Sequence, residues 1–348
     1  MAALTLKQIE RGTSTFTGGS PSSLVVTLGT TLTDTTNAII LFTVESTASN
    51  AKEYNVAGRI ISTTQIEFNR LAATLLTTPT VEWQVIEFTQ GITVQHIYQT
   101  LTALSTDIAI TAVDLAKTFP IVTVARLANP YGADDNILTE ITTTTNVNCI
   151  AVNTTEVGVA IQIVQIDDAS VQKFATTYGT GATKDITVTT ITENKTFWLF
   201  TLGTTDVAFN PDNFMYLSYV NSTTIRFTRT DSSGINFDLV VYVVSLSSGI
   251  TVQNIATTIA SSGSSVSPTI STVTVANTAL LLNGLTQRHA SANTTTSDAG
   301  TTAFGLASLT TTAFTATRAE SPATAATTNV QVLEWIISSS WVILIQEE

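Results

Sequence analysis

Two histidines, one cysteine and a scatter of acids are the groups with which this chain could do chemistry. His96 and His289 stand far apart, and neither has a cysteine or carboxylate at metal-ligand spacing. The expected role of each is a surface or satisfied imidazole rather than a metal ligand or general base. Cys149 is the single cysteine, which excludes an internal disulfide, and its strand-like surroundings, Val147 to Val152, point to a small buried hydrophobe. Asp134-Asp135-Asn136, Asp167-Asp168 and Asn210-Pro211-Asp212-Asn213 offer the oxygens that calcium takes, without the spacing of a calcium loop. Asp and Asn are ordinary turn formers, so turns are the expected reading. Gly179-Thr180-Gly181-Ala182-Thr183-Lys184 lacks the Gly-Lys-Ser/Thr ending of a phosphate loop and precedes a strand. Tyr131, Tyr178, Tyr216 and Tyr219 are the remaining recognition handles, able to stack on a host surface glycan, although strand aromatics are commonly core. No catalytic residue, metal site or cofactor is expected.

Composition narrows the class further. The chain is 43% hydrophobic and 11% charged, enough apolar material for cores and too little charge for a disordered tail. Threonine dominates the polar residues, beside Val, Ile, Ser and Asn, which is the vocabulary of pleated surfaces joined by turns. The net charge of -12 has no basic cluster to offset it, so nucleic acid and anionic membranes are not expected partners. No apolar run approaches the ~20 residues of a spanning helix. The first residues lack a basic segment followed by an apolar one, so no signal peptide is expected, and synthesis and assembly belong to the cytoplasm.

The elements that position these residues are repeated. Val81-Glu82-Trp83-Gln84-Val85-Ile86-Glu87-Phe88, followed by Gly91-Ile92-Thr93-Val94-Gln95, returns as Val159 to Ile166 with Gln172, as Leu239 to Leu246 with Gln253, and as Val330 to Trp335. Two further motifs keep the same order. One is a Thr/Val strand leading through a small turn into an apolar run (Thr31 to Phe42, Ile110 to Val122, Ile186 to Phe200, Val273 to Leu282). The other is a hairpin ending in arginine at Arg70, Arg229 and Arg318, an arginine that the second copy lacks. A shared period of about 80 to 90 residues makes chance similarity untenable and gives each unit six or seven short strands. The expected fold is all-β, four tandem antiparallel β-sandwich units strung like beads, with Gly/Ser/Thr-rich junctions at 176–183 and 260–265.

Within the signature strand, Val81, Trp83 and Val85 share one face while Ile86 and Phe88 share the other. The apolar face switches midway, which requires either a bulge or a central strand covered on both sides. Gln84, Gln162 and Gln331 precede the switch, with Tyr242 in the third copy, and a buried amide there needs partners. Together with Trp83, Phe88, Gln95, Gln172, Gln253 and Trp335 they form the expected structural signature. Glu87 and Glu334 occupy a repeat position filled elsewhere by Gln165 and Ser245, which argues against a shared catalytic carboxylate. Glu87→Gln is accordingly expected to be nearly silent.

Gln8, Gln95, Gln172 and Gln253 line up, so residues 1–12 read as a tail strand whose own unit is absent, pairing with the first unit or a neighbouring subunit. Units at 13–95, 96–172, 173–253 and 254–348 follow. Ile336 to Gln346 reads as a lengthened tail strand.

The signature strand with its Gly91-to-Gln95 tail, preceded by the Thr-rich hairpin ending at Arg70, resembles the repeat unit of virion surface and tail proteins of tailed bacteriophages. The resemblance runs through all four copies and is strongest in the first and third. It implies a non-enzymatic virion component, capsid decoration or fibre, assembled in the host bacterial cytoplasm and partnered by itself and by other virion structural proteins. The rival expectation is a fibre or lectin-like module that binds host glycan.

Overall fold

The computed structural model describes the chain except residues 1–2, 18–22, 46–54, 72–77, 127–135, 152–156, 204–214, 230–235, 284–285, 288–303, 319–324 and 337–348. The fold is all-β. The first unit comprises β1 (Thr5–Thr15), β2 (Ser23–Thr27), β3 (Ala38–Glu45), β4 (Ala57–Ser62), β5 (Gln65–Asn69) and β6 (Thr80–Gln90). The second runs from β7 (Ile92–Leu101) through β8 (Ser105–Ala109), β9 (Thr118–Arg126), β10 (Leu138–Thr143) and β11 (Asn146–Ile150) to β12 (Val157–Ile166). The third holds β13 (Ala169–Tyr178), β14 (Thr183–Thr187), β15 (Thr196–Gly203), β16 (Met215–Asn221), β17 (Thr224–Arg229) and β18 (Phe237–Leu246). The fourth holds β19 (Ile250–Ile259), β20 (Ser265–Val266), β21 (Thr278–Leu282), a two-residue β22 (Thr286–Gln287), β23 (Phe304–Leu309), β24 (Phe314–Arg318) and β25 (Ala326–Trp335).

Every unit folds the same way. Its first, third and last strands form an inner antiparallel sheet with the signature strand in the middle, as in β1-β6-β3, and three others form an outer sheet, as in β2-β5-β4; in the fourth unit the short β22 also pairs with the signature strand β25. The hairpin turn of the outer sheet repeats its hydrogen bonds faithfully. Thr64 and Thr63 accept from Leu28 and Leu32, Thr145 and Thr144 from Ile110 and Val113, Thr223 and Ser222 from Val188 and Ile191, and Thr312 and Thr311 from Ile270 and Val273.

The pairing moves the expected boundaries by one strand. Cuts after Gln95, Gln172 and Gln253 fall inside β7, β13 and β19, each of which pairs along its length with the signature strand that follows it. The "tail" is therefore the opening strand of the next unit. The same rule places residues 5–15 at home. β1 pairs with β6 from Thr5↔Gln90 to Thr15↔Thr80, so its unit is present within the chain. The stretches at 176–183 and 260–265 are turns within units, because β13 pairs β18 and β14 pairs β17 on either side of the first.

The change of apolar face needs no bulge in the signature strand. Pairing of β12 with both neighbours is unbroken, and so is that of β18 and of β6 with β3. Val81, Trp83 and Val85 pack into the core between the two sheets of unit 1, with Phe16, Ile60 and Phe68. Ile86 and Phe88 point the other way, into a core shared with Val164 and Ile166, Val244 and Leu246, and Leu333 and Trp335 of the other three units. Each inner sheet is thus covered on both faces. Phe88 meets Trp335 edge-on at 5.5 Å and Phe119 meets Phe197 in the same way at 5.5 Å, so the common core is knit by aromatic pairs across unit boundaries.

A string of beads has no such core. The four units form a closed ring, each inner sheet turning its second face to the middle. One end carries the connections between units. There Gly91 and Gly249 adopt φ of 81° and 76°, which side chains disfavour, and a Cβ on Gly91 would lie 2.8 Å from the Leu4 backbone. β1 begins at that end and β25 finishes there.

Candidate functional site

The residues singled out by the repeat meet where one unit docks on the previous one. Gln162 of β12 lies 3% exposed, and its amide spans Ile40 of β3: Ile40 N donates to Oε1 at 2.8 Å and Nε2 donates to Ile40 O at 2.8 Å. Gln84 of β6 clasps Leu280 of β21 in the same way, at 2.9 Å each. Gln331 of β25 accepts from Trp198 N at 3.1 Å and from Asn283 Nδ2 at 2.7 Å, and donates to Asn254 Oδ1 at 2.7 Å. The second unit presents Pro120 at the place of Ile40, Trp198 and Leu280, since Ile121, Leu41, Leu199 and Leu281 are the residues paired with the four signature positions. Proline has no N–H to give to a glutamine. The signature position facing it is Tyr242, whose hydroxyl instead accepts from Ile141 N at 2.9 Å. Burial raises the Tyr242 pKa, so the phenol stays protonated. The one exception to the glutamine pattern therefore answers to its partner's backbone.

A second contact recurs one turn of pleat further along. Thr43, Thr123 and Thr201 accept at Oγ1 from Leu306 N, Gly58 N and Thr139 N, at 3.0, 3.1 and 3.0 Å. Asn283, in the fourth unit, accepts from Leu217 N through its backbone oxygen at 3.2 Å. The outer-sheet edges β4, β10, β16 and β23 are each met by the next unit in this way. A third set sits opposite the clasp on the opening strands, where Arg11, His96, Lys173 and Asn254 pair with Gln84, Gln162, Tyr242 and Gln331. Arg11 Nη2 donates to Val275 O, at 3.0 Å, and to Thr278 O. His96 Nε2 reaches the equivalent carbonyls of the first unit, Thr35 O at 3.0 Å and Ala38 O at 3.1 Å. Lys173 Nζ takes Glu140 and Ile141 O instead, and Asn254 reaches Glu193. Contacts of unit 1 with unit 4 match those within the series, which is what closes the ring.

The glutamines that trail each signature have a local task. Gln95, Gln172 and Gln253 bridge N–H and C=O of Thr111, Thr189 and Ser271, holding the outer sheet to the opening strand. Gln8 is not their counterpart. The register of β1 shifts between Leu6 and Gln8, which leaves Glu10 opposite Val85 and accepting from Gly29 N and Thr30 N at 2.6 and 3.0 Å. Gln8 donates to Glu87 at 2.8 Å. Glu87 itself is fully buried and also accepts from Thr33 N at 2.6 Å and Lys7 Nζ at 3.1 Å. Gln165 and Glu334 accept from Asp114 N and Thr274 N in turn, so this position tethers the turn that leads into the third strand. Trp83 caps the local core with Nε1 on Ser14 and its ring over Gly12, where no Cβ would fit.

The arginines were visible as a motif without a task, and the structure supplies one. Arg229, 2% exposed, donates to Gly181 O and Gly179 O at 2.9 and 2.7 Å and lies 4.6 Å over Tyr178. Arg318 does the same at Gly263 O and Ala260 O, and Arg70 stacks 4.0 Å over Phe16. Ala151 fills this place in unit 2. Tyr178 is thereby committed to the interior, whereas Tyr216 and Tyr219 are half-buried on β16. Tyr131, His289, Asp134, Asp135 and 210–213 lie outside the described residues, as does the expected strand beyond Ile336.

Cys149 is fully buried beside Thr139 Oγ1 at 3.6 Å, and burial pushes its pKa up to about 11, so it packs as a small hydrophobe. Among the described residues no group of three or more His, Cys, Asp or Glu could hold a metal ion. Side chains of all four units pack in the ring's middle around a void of about 20 Å³, walled by aliphatic and aromatic residues such as Leu41, Phe88, Phe119 and Trp335. A groove of about 310 Å³ opens at the end away from the unit connections, between Val44 and Val56, Val124 and Ile137, and Leu202. Among the described residues no ionisable side chain lines it, and its two threonines, Thr123 and Thr201, are already bonded across unit boundaries. No known protein family matches the chain, and no characterised protein matches it in sequence.

Proposed function

We propose that the chain is a non-enzymatic structural component of a tailed-bacteriophage virion, on the capsid or tail. The observation that carries this reading is where its recurrent polar residues go. Gln84, Gln162, Tyr242, Gln331, Thr43, Thr123, Thr201, Arg11 and His96 each make a hydrogen bond that joins one unit to the next. Catalysis needs an acid, base, nucleophile or metal converging on a cavity. Here the recurring chemistry builds a ring, and the groove at the end away from the unit connections has aliphatic, aromatic, amide and hydroxyl walls among the described residues. The virion assignment itself rests on the resemblance of the repeat. Mass spectrometry of purified particles from an infected host tests it, with the chain expected at a stoichiometry comparable to other structural proteins. Its absence from intact particles would refute the proposal.

A further inference from the structure

We infer that the void in the middle of the ring is a binding site for one small apolar guest, an atom or molecule of one or two heavy atoms without a polar group, such as xenon or dioxygen. The void follows from the way four unlike copies of one unit meet. Residues facing the middle come in levels, one from each unit. Pairing sets Ile39 beside Ile86, Phe119 beside Val164, Phe197 beside Val244 and Ala279 beside Leu333. Two residues further along the signature strands stand Phe88, Ile166, Leu246 and Trp335. Four large side chains at one level would collide there, and four small ones would leave a channel. The chain mixes sizes instead, and large rings and short aliphatics cannot fill the space without remainder. Phe88 meets Trp335 and Phe119 meets Phe197, both edge-on at 5.5 Å, and all four rings wall the void of about 20 Å³.

Size and wall chemistry select the guest. A void needs roughly 10 to 15 Å³ to admit one water-sized sphere, so this one has room for an occupant. Water is a poor match, because it needs two to four polar partners. Every residue lining the void is Ile, Leu, Val, Phe or Trp, and the Trp335 indole is the only side chain among them with a hydrogen-bonding atom. The signature strands that run past it have both edges paired within their own sheets, β6 by β1 and β3, β12 by β7 and β9, β18 by β13 and β15, and β25 by β19 and β21. Wall atoms that face a gap forfeit dispersion contacts, and a polarizable apolar guest restores them. Units 1 to 4 all contribute to the wall, through Leu41, Ile121, Leu199 and Leu333 among others, so the site exists only in the assembled ring. This inference does not depend on the virion assignment.

Methyl carbon–proton NMR of the full chain under xenon, with nitrogen at the same pressure as control, tests it. The methyl signals of Ile39, Leu41, Ile121 and Ile166, which line the void, are expected to shift with xenon pressure. Those of Ile60 and Leu217, which lie in the separate cores of units 1 and 3, are expected to show only the small drift that dissolved gas produces everywhere. Val164→Ile adds a methylene to the wall and is expected to lose the shift, whereas Phe119→Leu enlarges the void and is expected to increase it. Equal responses at lining and distant methyls in the wild-type chain overturn the inference. So does a wild-type response in either variant, and so does a nuclear Overhauser effect between the lining methyls and a resident water.

Discussion

A buried amide is tolerated where both of its polar ends are met, and Gln84 and Gln162 meet that condition with a single partner residue each. Removing one leaves a backbone N–H and a C=O unpaired in the neighbouring unit. Gln162→Leu keeps the volume and loses both bonds, so chemical denaturation is expected to show a loss of about 2 to 4 kcal/mol. Wild-type stability in that variant would mean that Ile40 finds other partners. Glu87 shows how burial alters a sequence-level expectation. Exposed, its change to Gln would be silent; enclosed by the donors of Thr33, Gln8 and Lys7, a glutamine sets an NH₂ against donors. The same measurement is expected to give a loss of about 1 to 3 kcal/mol.

At the level of elements, the opening strands are the hinge between neighbouring units, and in unit 2 that hinge titrates. Burial lowers the His96 pKa from its ordinary 6.5, partly offset by the bonds to Thr35 O and Ala38 O, while Nδ1 has no partner. The facing groups are carbonyls rather than charges, so the ring folds neutral. A folded pKa below the unfolded one means that the unfolded chain binds the proton first. Its contribution is complete above about pH 6.5 and is lost as pH falls below that value. Thermal melts between about pH 7.5 and 5 should therefore decline, and His96→Asn, the residue type that unit 4 uses at this position, should flatten the decline. Equal slopes for the two proteins would show that the imidazole is not the titrating group.

Over the whole molecule, the shared core decides cooperativity. Ile86 and Phe88 of the first unit, Val164 and Ile166 of the second, and their counterparts in the others are buried only while all four inner sheets are assembled. Independent beads would melt in separate steps. The ring is expected to melt in one, with calorimetric and van't Hoff enthalpies in a ratio near 1. A ratio approaching the number of units would contradict the closed ring. Deleting residues 1–12 removes most of β1, with Leu6 and Arg11, so it should lower the melting temperature of the entire chain.

Much of this was written locally in the chain. Alternating Thr/Val runs, turn residues at a fixed period and the change of apolar face at Ile86 depend on neighbours along the strand, and from them the all-β repeat, the double covering of the signature strand and the need to satisfy Gln84, Gln162 and Gln331 could be read. Which residues satisfy them could not. The clasp joins residues of different units, and nothing along the strand says that the fourth unit meets the first. The unit boundary was misplaced because the signature and the strand after it are adjacent in sequence, whereas hydrogen bonding hands that strand to the next sheet. Gln8 looked equivalent to Gln95 because a register shift leaves no mark in composition. Pro120 opposite Tyr242 shows both limits at once: the missing N–H is written in the sequence, and its consequence exists only where two units touch.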